Sequence, residues 1–253
     1  MRKLSYLILG CFTVFLAGCL DTTQELTLNE NGSGVFRSTN DMSKIFSMLG
    51  QMGGGSQMDK LKDMDTTIRL SDLVDSVKGL TAAEKTLISK GNMKIVLKQK
   101  DEKFFTVMSF PFQKLSDVKI IQQALPKMTE EATKKIADGK AEMPMGMNED
   151  DMPEPKSFDD YFDVVITNNS ITKTINKEKY ATAADDQYMK ILSQMGSMGA
   201  PATVNYVFNL PRPATKVEGK GLKLSSDKKK VTLTVNSDDF FDEPKKFEFK
   251  IEY

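Results

Sequence analysis

The stretch TVNYVFNL at 203–210 alternates apolar and polar residues without a break. Successive side chains of a strand point to opposite faces of a sheet, so Val204, Tyr206, Phe208 and Leu210 share one face. Such a strand must have one face buried and one in water, which is typical of antiparallel sheets. Further strands are predicted at 25–28, 35–39, 92–100, 103–110, 162–168, 170–176, 229–235 and 246–253.

Short segments with helical spacing separate these strands. Helices are predicted at 42–49, 71–80, 81–92, 116–125 and 184–194. The third begins with a capping box, in which Thr81 is followed three residues later by Glu84. Pro126 should end the helix before it, because proline removes a backbone donor and clashes with the preceding turn. The expected fold class is therefore α+β, with antiparallel sheets covered on one face by short helices.

The first residues, MRKLSYLILGCFTVFLAGC, follow the pattern of a secretory signal. Arg2 and Lys3 form a basic head, and residues 4–15 are uncharged. A bilayer core needs roughly 20 apolar residues, so this run is too short to span it. A basic head, a short apolar run and small residues before a cleavage point predict a signal peptide rather than a buried helix.

The signal ends in Leu16, Ala17, Gly18 and Cys19, which resembles the lipobox of bacterial lipoproteins. The resemblance implies cleavage between Gly18 and Cys19 and acylation of the Cys19 thiol, with palmitate-type chains as the anchor. Several acyl chains, at about 0.8 kcal/mol for each buried methylene, hold a protein firmly on a membrane. The expected location is therefore the extracytoplasmic side of a membrane in the bacterial cell envelope.

Five segments are expected along the chain. Residues 139–156 contain three prolines, five acidic residues and no periodicity, which is typical of a linker. The similar stretches at 45–53 and 191–199 suggest a duplicated unit, although two helix ends rich in Met and Gly also look alike by composition alone. The segments are a signal peptide (1–18), a lipidated cysteine with a tether (19–24), a first α+β half (25–138), the acidic Met- and Pro-rich linker (139–156) and a second α+β half with C-terminal antiparallel strands (157–253).

Composition excludes several classes of function. The 35 basic and 35 acidic residues balance, so the chain lacks the electrostatic footprint of a nucleic-acid-binding protein. Cys11 leaves with the signal and Cys19 takes lipid, so the mature chain has no disulfide. The chain has no histidine, which is the commonest metal ligand and general base. We therefore expect no cofactor, no metal and no nucleic-acid partner.

Two residue clusters could hold a metal, but a simpler interpretation is preferred for each. Thioethers suit Cu(I), yet no histidine or free cysteine completes a site in the linker. Carboxylates suit Ca²⁺, yet the acidic cluster near the C-terminus lacks the spacing of a calcium loop, and a charged turn is expected there. The residues concerned are Met143, Met145, Met147 and Met152 in the linker and Asp238, Asp239, Asp242 and Glu243 in the acidic cluster.

No catalytic residue is assigned. Ser-x-x-Lys spacings occur at Ser116 and Lys119 and at Ser170 and Lys173, but neither pair is flanked by partner motifs. Nucleophile-elbow, metalloprotease and phosphate-loop motifs are absent from the sequence. The chain is therefore expected not to be an enzyme.

The stretch at 203–235 resembles the LppM-type domain of bacterial lipoproteins, in which a strand leads into a Pro turn, a short Val strand and a polar hairpin. The opening ELTLNENGSGVF resembles the first hairpin of that family. The resemblance implies an anchored α+β domain that binds a lipid or glycolipid in a cavity, and it carries no ligand residue. The matching positions are Pro211, Val217, Gly219 and Val231.

Two functions are compatible with these features. In the first, a non-enzymatic, membrane-anchored lipoprotein binds a lipid or another apolar ligand. In the second, it is a scaffold that displays a surface to another envelope protein. An enclosed apolar pocket of roughly 300 Å³ or more would favour the ligand. A filled core with an exposed apolar patch would favour the scaffold.

Overall fold

The computed structural model describes residues 21–49, 63–136, 156–197 and 201–253. Gly18, Cys19 and residues 139–155 of the predicted linker lie outside these ranges, so the cleavage and lipidation sites do too. Within them, strands and short helices alternate, and the α+β fold class is confirmed.

The larger sheet contains eight strands within the described ranges. These are β1 (Asp21–Leu28), β2 (Gly34–Asp41), β3 (Met64–Arg69), β4 (Asn92–Lys98), β5 (Lys103–Phe112), β8 (Thr203–Asn209), β10 (Lys223–Leu224) and β11 (Lys230–Asn236). Their order across the sheet is β10-β11-β8-β1-β2-β5-β4-β3. Alternate residues of β8 are buried, with Val204, Tyr206 and Phe208 on the inner face, as the alternation predicts.

The smaller sheet contains four strands, all antiparallel to their neighbours. Its order is β6-β7-β12-β9. The strands are β6 (Phe162–Ile166), β7 (Ser170–Ile175), β9 (Lys216–Gly219) and β12 (Phe249–Glu252).

Strand β1 lies at the centre of the larger sheet and differs from expectation in two ways. It pairs in parallel with β8, from Asp21 beside Thr203 to Thr27 beside Asn209, so this sheet is not purely antiparallel. It also begins at Asp21, so residues 21–24 belong to the sheet and not to the predicted tether. The backbone of these residues has partners on both sides, in β2 and in β8, which explains why they are extended and ordered.

Six helices lie in the described ranges, together with 3-10 turns at Leu70–Asp72, Phe158–Tyr161 and Pro244–Phe247. The helices are α1 (Ser43–Leu49), α2 (Ala82–Ile88), α3 (Leu115–Ile136), α4 (Lys177–Tyr180), α5 (Gln187–Ser197) and α6 (Ser237–Asp242). The capping box of Thr81 and Glu84 at the start of α2 is confirmed. Among the described residues, no helix is both long and apolar enough to cross a membrane.

Two helix predictions need correction. Pro126 lies inside α3 and does not end it, because the turns on both sides pack into the core through Ala124 and Met128. Residues 71–80 form turns rather than a helix, although Leu73 and Val77 are buried.

The acidic cluster near the C-terminus is not a turn, because it forms helix α6. The carboxylate of Asp239 accepts from the backbone N–H of Asn236 at 3.0 Å, so the first turn of this helix satisfies a free backbone donor.

The core lies between the two sheets and under α3. Leu26 and Phe36 of the larger sheet belong to the same buried cluster as Ile171 and Phe249 of the smaller sheet and Val118 of α3. The two predicted halves of the chain therefore contribute to one core.

Candidate functional site

A buried lysine lies between the two sheets. Strand β7 begins with the sequence SITKTI, and its alternation places Lys173 on the inner face beside Ile171. The 3-10 turn before β6 supplies Asp159, and β8 of the larger sheet supplies Tyr206. We call Asp159, Lys173 and Tyr206 the inter-sheet cluster.

The three side chains of the inter-sheet cluster are mutually hydrogen-bonded. The Nζ of Lys173 donates to Asp159 Oδ1 and, at 2.8 Å, to the hydroxyl of Tyr206. The Tyr206 hydroxyl donates in turn to Asp159 Oδ1 at 2.7 Å. Because Tyr206 belongs to the larger sheet and Lys173 to the smaller one, these bonds fasten the two sheets together.

The surroundings of the ammonium group are aromatic and shielded from bulk solvent. The Lys173 side chain is only 1% exposed. Its Nζ lies 4.2 Å from the ring centre of Tyr206, 4.7 Å from that of Phe162 and 5.3 Å from that of Phe247. Ring faces attract a cation at these distances, so they replace part of its lost hydration.

Burial shifts the protonation of two members of the inter-sheet cluster. Desolvation lowers the pKa of Lys173, while the charge and hydrogen bond of Asp159 oppose that shift. Desolvation also raises the pKa of Tyr206, and the neighbouring Asp159 carboxylate raises it further. Tyr206 is therefore a neutral donor at physiological pH, and its hydrogen bond and that of Lys173 meet on one oxygen of Asp159.

A small cavity borders the inter-sheet cluster. Its volume is about 20 Å³, and Leu26, Val118, Ile166, Phe208 and the three cluster residues are among those that line it. Asp159 Oδ2 is buried and has no hydrogen-bond partner among the described residues. One water molecule needs roughly 10–15 Å³ of such volume, so this cavity has room for one, within reach of polar groups.

This arrangement does not form a Ser–Lys catalytic pair. Ser170 and Lys173 are three residues apart on one strand, so their side chains point to opposite faces of the sheet. Ser116 and Lys119 are both exposed on the first turn of α3. The ammonium of Lys173 is enclosed by its two partners and three rings, which leaves it no substrate-sized space.

Two members of the inter-sheet cluster are recognisable in the sequence as polar side chains on buried strand faces. Lys173 shares a strand face with Ile171 and Ile175, which is unusual for a charged residue. Tyr206 lies in the buried alternation of β8, where its hydroxyl needs a partner. The partner Asp159 could not be inferred, because it lies on a separate turn.

The other predicted sites are not brought together with this cluster. Asp238, Asp239 and Asp242 lie on α6, and Asp239 and Glu243 form ion pairs with Lys246. Within the described ranges no group of three or more acidic or cysteine side chains is placed to hold a metal ion. Met143, Met145, Met147 and Met152 lie outside the described residues.

A large open groove lies on the surface of the described residues, and few large apolar side chains are exposed there. The groove measures about 450 Å³ and is lined by polar side chains together with Tyr253. The large apolar side chains that are exposed in these ranges are Val165 and Leu224, one on an edge strand of each sheet. Neither the large enclosed apolar pocket nor the contiguous apolar patch considered above is found in the described part of the chain.

Comparison with known proteins adds a weak structural resemblance. No protein-family model and no curated protein matches the sequence. The folded domain of the Mycobacterium tuberculosis LppM protein, solved by NMR, is similar at a TM-score of 0.38 and 8% identity. The match covers 93% of this chain and 91% of that domain. The resemblance to an LppM-like lipoprotein domain is thus weak, and no residue role is transferred from it.

Proposed function

We propose that this chain is a lipoprotein of the bacterial cell envelope, cleaved before Cys19 and acylated on that thiol. The observation that carries the proposal is the motif Leu16–Cys19 behind a basic head and a short apolar run. Strand β1 begins at Asp21, so only two residue steps, or about 7 Å of extended chain, separate the anchor from the sheet. Acylation would therefore hold the folded domain directly against the extracytoplasmic membrane surface.

The folded domain is proposed to act by binding and not by catalysis. Lys173 and Tyr206 resemble reactive groups in type, but both are engaged with Asp159 inside the core. A cavity of about 20 Å³ takes a water molecule and not an acyl chain. The filled core meets one of the two conditions for the scaffold alternative. Because the described ranges have no contiguous apolar patch, the surface that the domain would display to another envelope protein is a polar one.

A lipid or other apolar ligand remains a second candidate for one reason. The small cavity is lined mainly by apolar side chains from both sheets and from α3, so a shift of α3 would enlarge an apolar space. Mass spectrometry of the protein extracted in mild detergent would test this candidate. A lipid bound in stoichiometric amount, in addition to the covalent acyl chains, would support it, and its consistent absence would reject it.

The anchor is tested by Cys19→Ala, with Cys11→Ala as the matched control. Metabolic labelling with a palmitate analogue should be abolished in Cys19→Ala and unchanged in Cys11→Ala, because only the first removes the proposed acceptor thiol. Cys19→Ala should also remain uncleaved or leave the membrane fraction. Undiminished labelling of Cys19→Ala would contradict the proposed function.

A further inference from the structure

A basic surface lies at the end of the larger sheet that is farthest from Asp21. Thr27 of β1 lies beside Asn209 of β8, which lies beside Lys230 of β11. Six residue steps along β1 separate Asp21 from Thr27, which is about 20 Å. The turn that leads into Lys230 is therefore at the opposite end of the sheet from the proposed anchor.

Charge is unevenly distributed along this part of the chain. Residues 212–230 contain seven basic and two acidic residues, although the whole chain has a formal net charge of zero. At the other end of β11, helix α6 carries three aspartates. Lys216 and Lys220 of this stretch form ion pairs with Glu218 and Glu243. The positive charge at the end of β11 away from Asp21 is therefore that of Lys228, Lys229 and Lys230.

The lysines of this surface are available to a partner. Lys228, Lys229 and Lys230 are exposed, and none of the ion pairs found among the described residues involves them. Asp227, the nearest carboxylate in sequence, accepts from Ser225 Oγ and the backbone N–H of Lys229, and its charge acts on Lys229. Three adjacent exposed cations beside one carboxylate leave an excess of positive charge, which favours acidic groups.

The backbone beneath these lysines is held in place. The N–H groups of Leu210 and Ala214 donate to the carbonyls of Lys229 and Lys228, each at 2.7 Å. Arg212 lies in the same connection, where its Nη2 donates to the Asn168 carbonyl at 2.9 Å. A fixed backbone loses less conformational freedom on binding, although the exposed lysine side chains must still be ordered.

The polar groove adjoins the same surface. Thr215, which lines the groove, directly follows Ala214, and Arg212 binds Asn169 on the groove wall at 3.1 Å. We name the distal basic surface as Arg212, Lys228, Lys229 and Lys230. The groove beside it carries Lys250 and Glu252, which form an ion pair with each other.

We propose that the distal basic surface binds an acidic segment of another envelope protein. Its orientation rests on the proposed function: only Leu20 lies between Cys19 and β1, and a β1 that runs away from the membrane would place the surface about 20 Å from it. Charges are screened over about 8 Å at physiological salt, so in that orientation the lipid headgroups around the anchor are out of range. An acidic segment of a protein can reach the surface from the side that faces away from the membrane.

The test uses the full acylated chain in zwitterionic lipid nanodiscs and a fluorescent decaglutamate peptide as the probe. The variant Lys228→Gln, Lys229→Gln, Lys230→Gln should bind the peptide about tenfold or more weakly, since three exposed charge pairs are lost. The matched control replaces Lys177, Lys179 and Lys190, three exposed lysines on α4 and α5, by Gln. It should change the affinity less than about twofold. Equal losses in both variants, or no binding by the native chain, would overturn the proposal.

A second arm asks whether the surface instead contacts the membrane. The same titration is repeated in nanodiscs that contain phosphatidylglycerol, and the affinity should be unchanged. If anionic lipid abolishes peptide binding, the surface lies on the bilayer and the protein partner is rejected. The mass of the purified chain reports acylation independently, so a failure of the anchor is distinguished from a failure of the surface.

Discussion

At the scale of the residue, the alternation of β7 places the buried Lys173 on its inner face, where it donates to Tyr206 of the larger sheet. A buried ion pair is weak evidence for stability in itself, because removing two charges from water costs about as much as their attraction returns. Removing only one partner of the pair has a different effect. The remaining charge is then buried without a counter-charge, and nothing offsets the cost of its lost hydration.

We therefore expect Lys173→Met to be strongly destabilising. The change leaves the carboxylate of Asp159 buried without its cation, which typically costs about 3–5 kcal/mol. Urea denaturation measures the free energy of unfolding. Lys179→Met, at an exposed lysine, is the control and should fall within about 0.5 kcal/mol.

The double variant Lys173→Met, Asp159→Leu separates pairing from packing. It should be more stable than Lys173→Met alone, because no isolated charge remains in the core. Losses that simply add would show that Lys173 and Asp159 are not coupled.

Neighbouring residues on β8 should respond very differently to truncation. Phe208 is buried, and its ring lies 5.1 Å from that of Phe249 in the smaller sheet, so Phe208→Ala should cost about 3–5 kcal/mol. Alternation alone predicts that Asn209 faces outwards and that Asn209→Ala changes little. In the structure, Asn209 Nδ2 donates to Glu25 at 2.7 Å and to Thr27 at 3.0 Å. We therefore expect Asn209→Ala to lower the free energy of unfolding by about 1 kcal/mol. Equal urea midpoints for the two variants would contradict the burial pattern of β8.

At the scale of elements, short sequence patterns correctly predict features that depend only on neighbouring residues. The period of two located β4, β5, β7, β8 and β11, and the capping box located the start of α2. The extension of α3 through Pro126 depends on its contacts with the sheets, which a local rule does not contain. Residues 71–80 are apolar at helical spacing, yet Leu73 and Val77 reach the core from turns. Tertiary packing decided both cases.

The capping box of α2 offers a direct test at this scale. Thr81→Ala should cost about 1 kcal/mol, because the N–H of Glu84 loses its acceptor. Thr86→Ala, later in the same exposed helix, is the matched control and should be neutral or slightly stabilising. Urea denaturation of the two variants compares them, and an equal loss would mean that the cap does not matter.

Glu84 makes the same cap dependent on pH. The backbone N–H of Thr81, which donates to the carboxylate, lowers the pKa of Glu84 below its usual 4.5. A lowered folded-state pKa adds stability above the unfolded pKa and loses it as the pH falls through the folded pKa. The difference in unfolding free energy between the native chain and Glu84→Gln should therefore shrink below about pH 4.5. A difference that is constant from pH 7 to pH 3 would contradict this role.

At the scale of the whole molecule, the pairing of β1 with β8 is the feature that sequence periodicity could least provide. These strands are 182 residues apart, measured between the paired Asp21 and Thr203, and no turn signal connects them. The alternation showed which faces are buried but not which strands are neighbours. The alternation likewise could not show that the smaller sheet packs on the larger one, which brings Tyr206 of β8 to Lys173 of β7.

The same pairing leads to a prediction about the two halves of the chain. A specific protease site is placed within 139–156, and the purified protein is cut there. Strand β1 belongs to the first fragment and β8 to the second, and they are joined along seven residue pairs. Leu26 and Phe36 of the first fragment share a core with Phe208 and Phe249 of the second.

The cut chain should therefore elute as one species in native buffer and separate only in denaturant. Phe208→Ala should lower the urea concentration at which the fragments part, because it weakens that shared core. Fragments that separate without denaturant would show that 25–138 and 157–253 fold as independent domains.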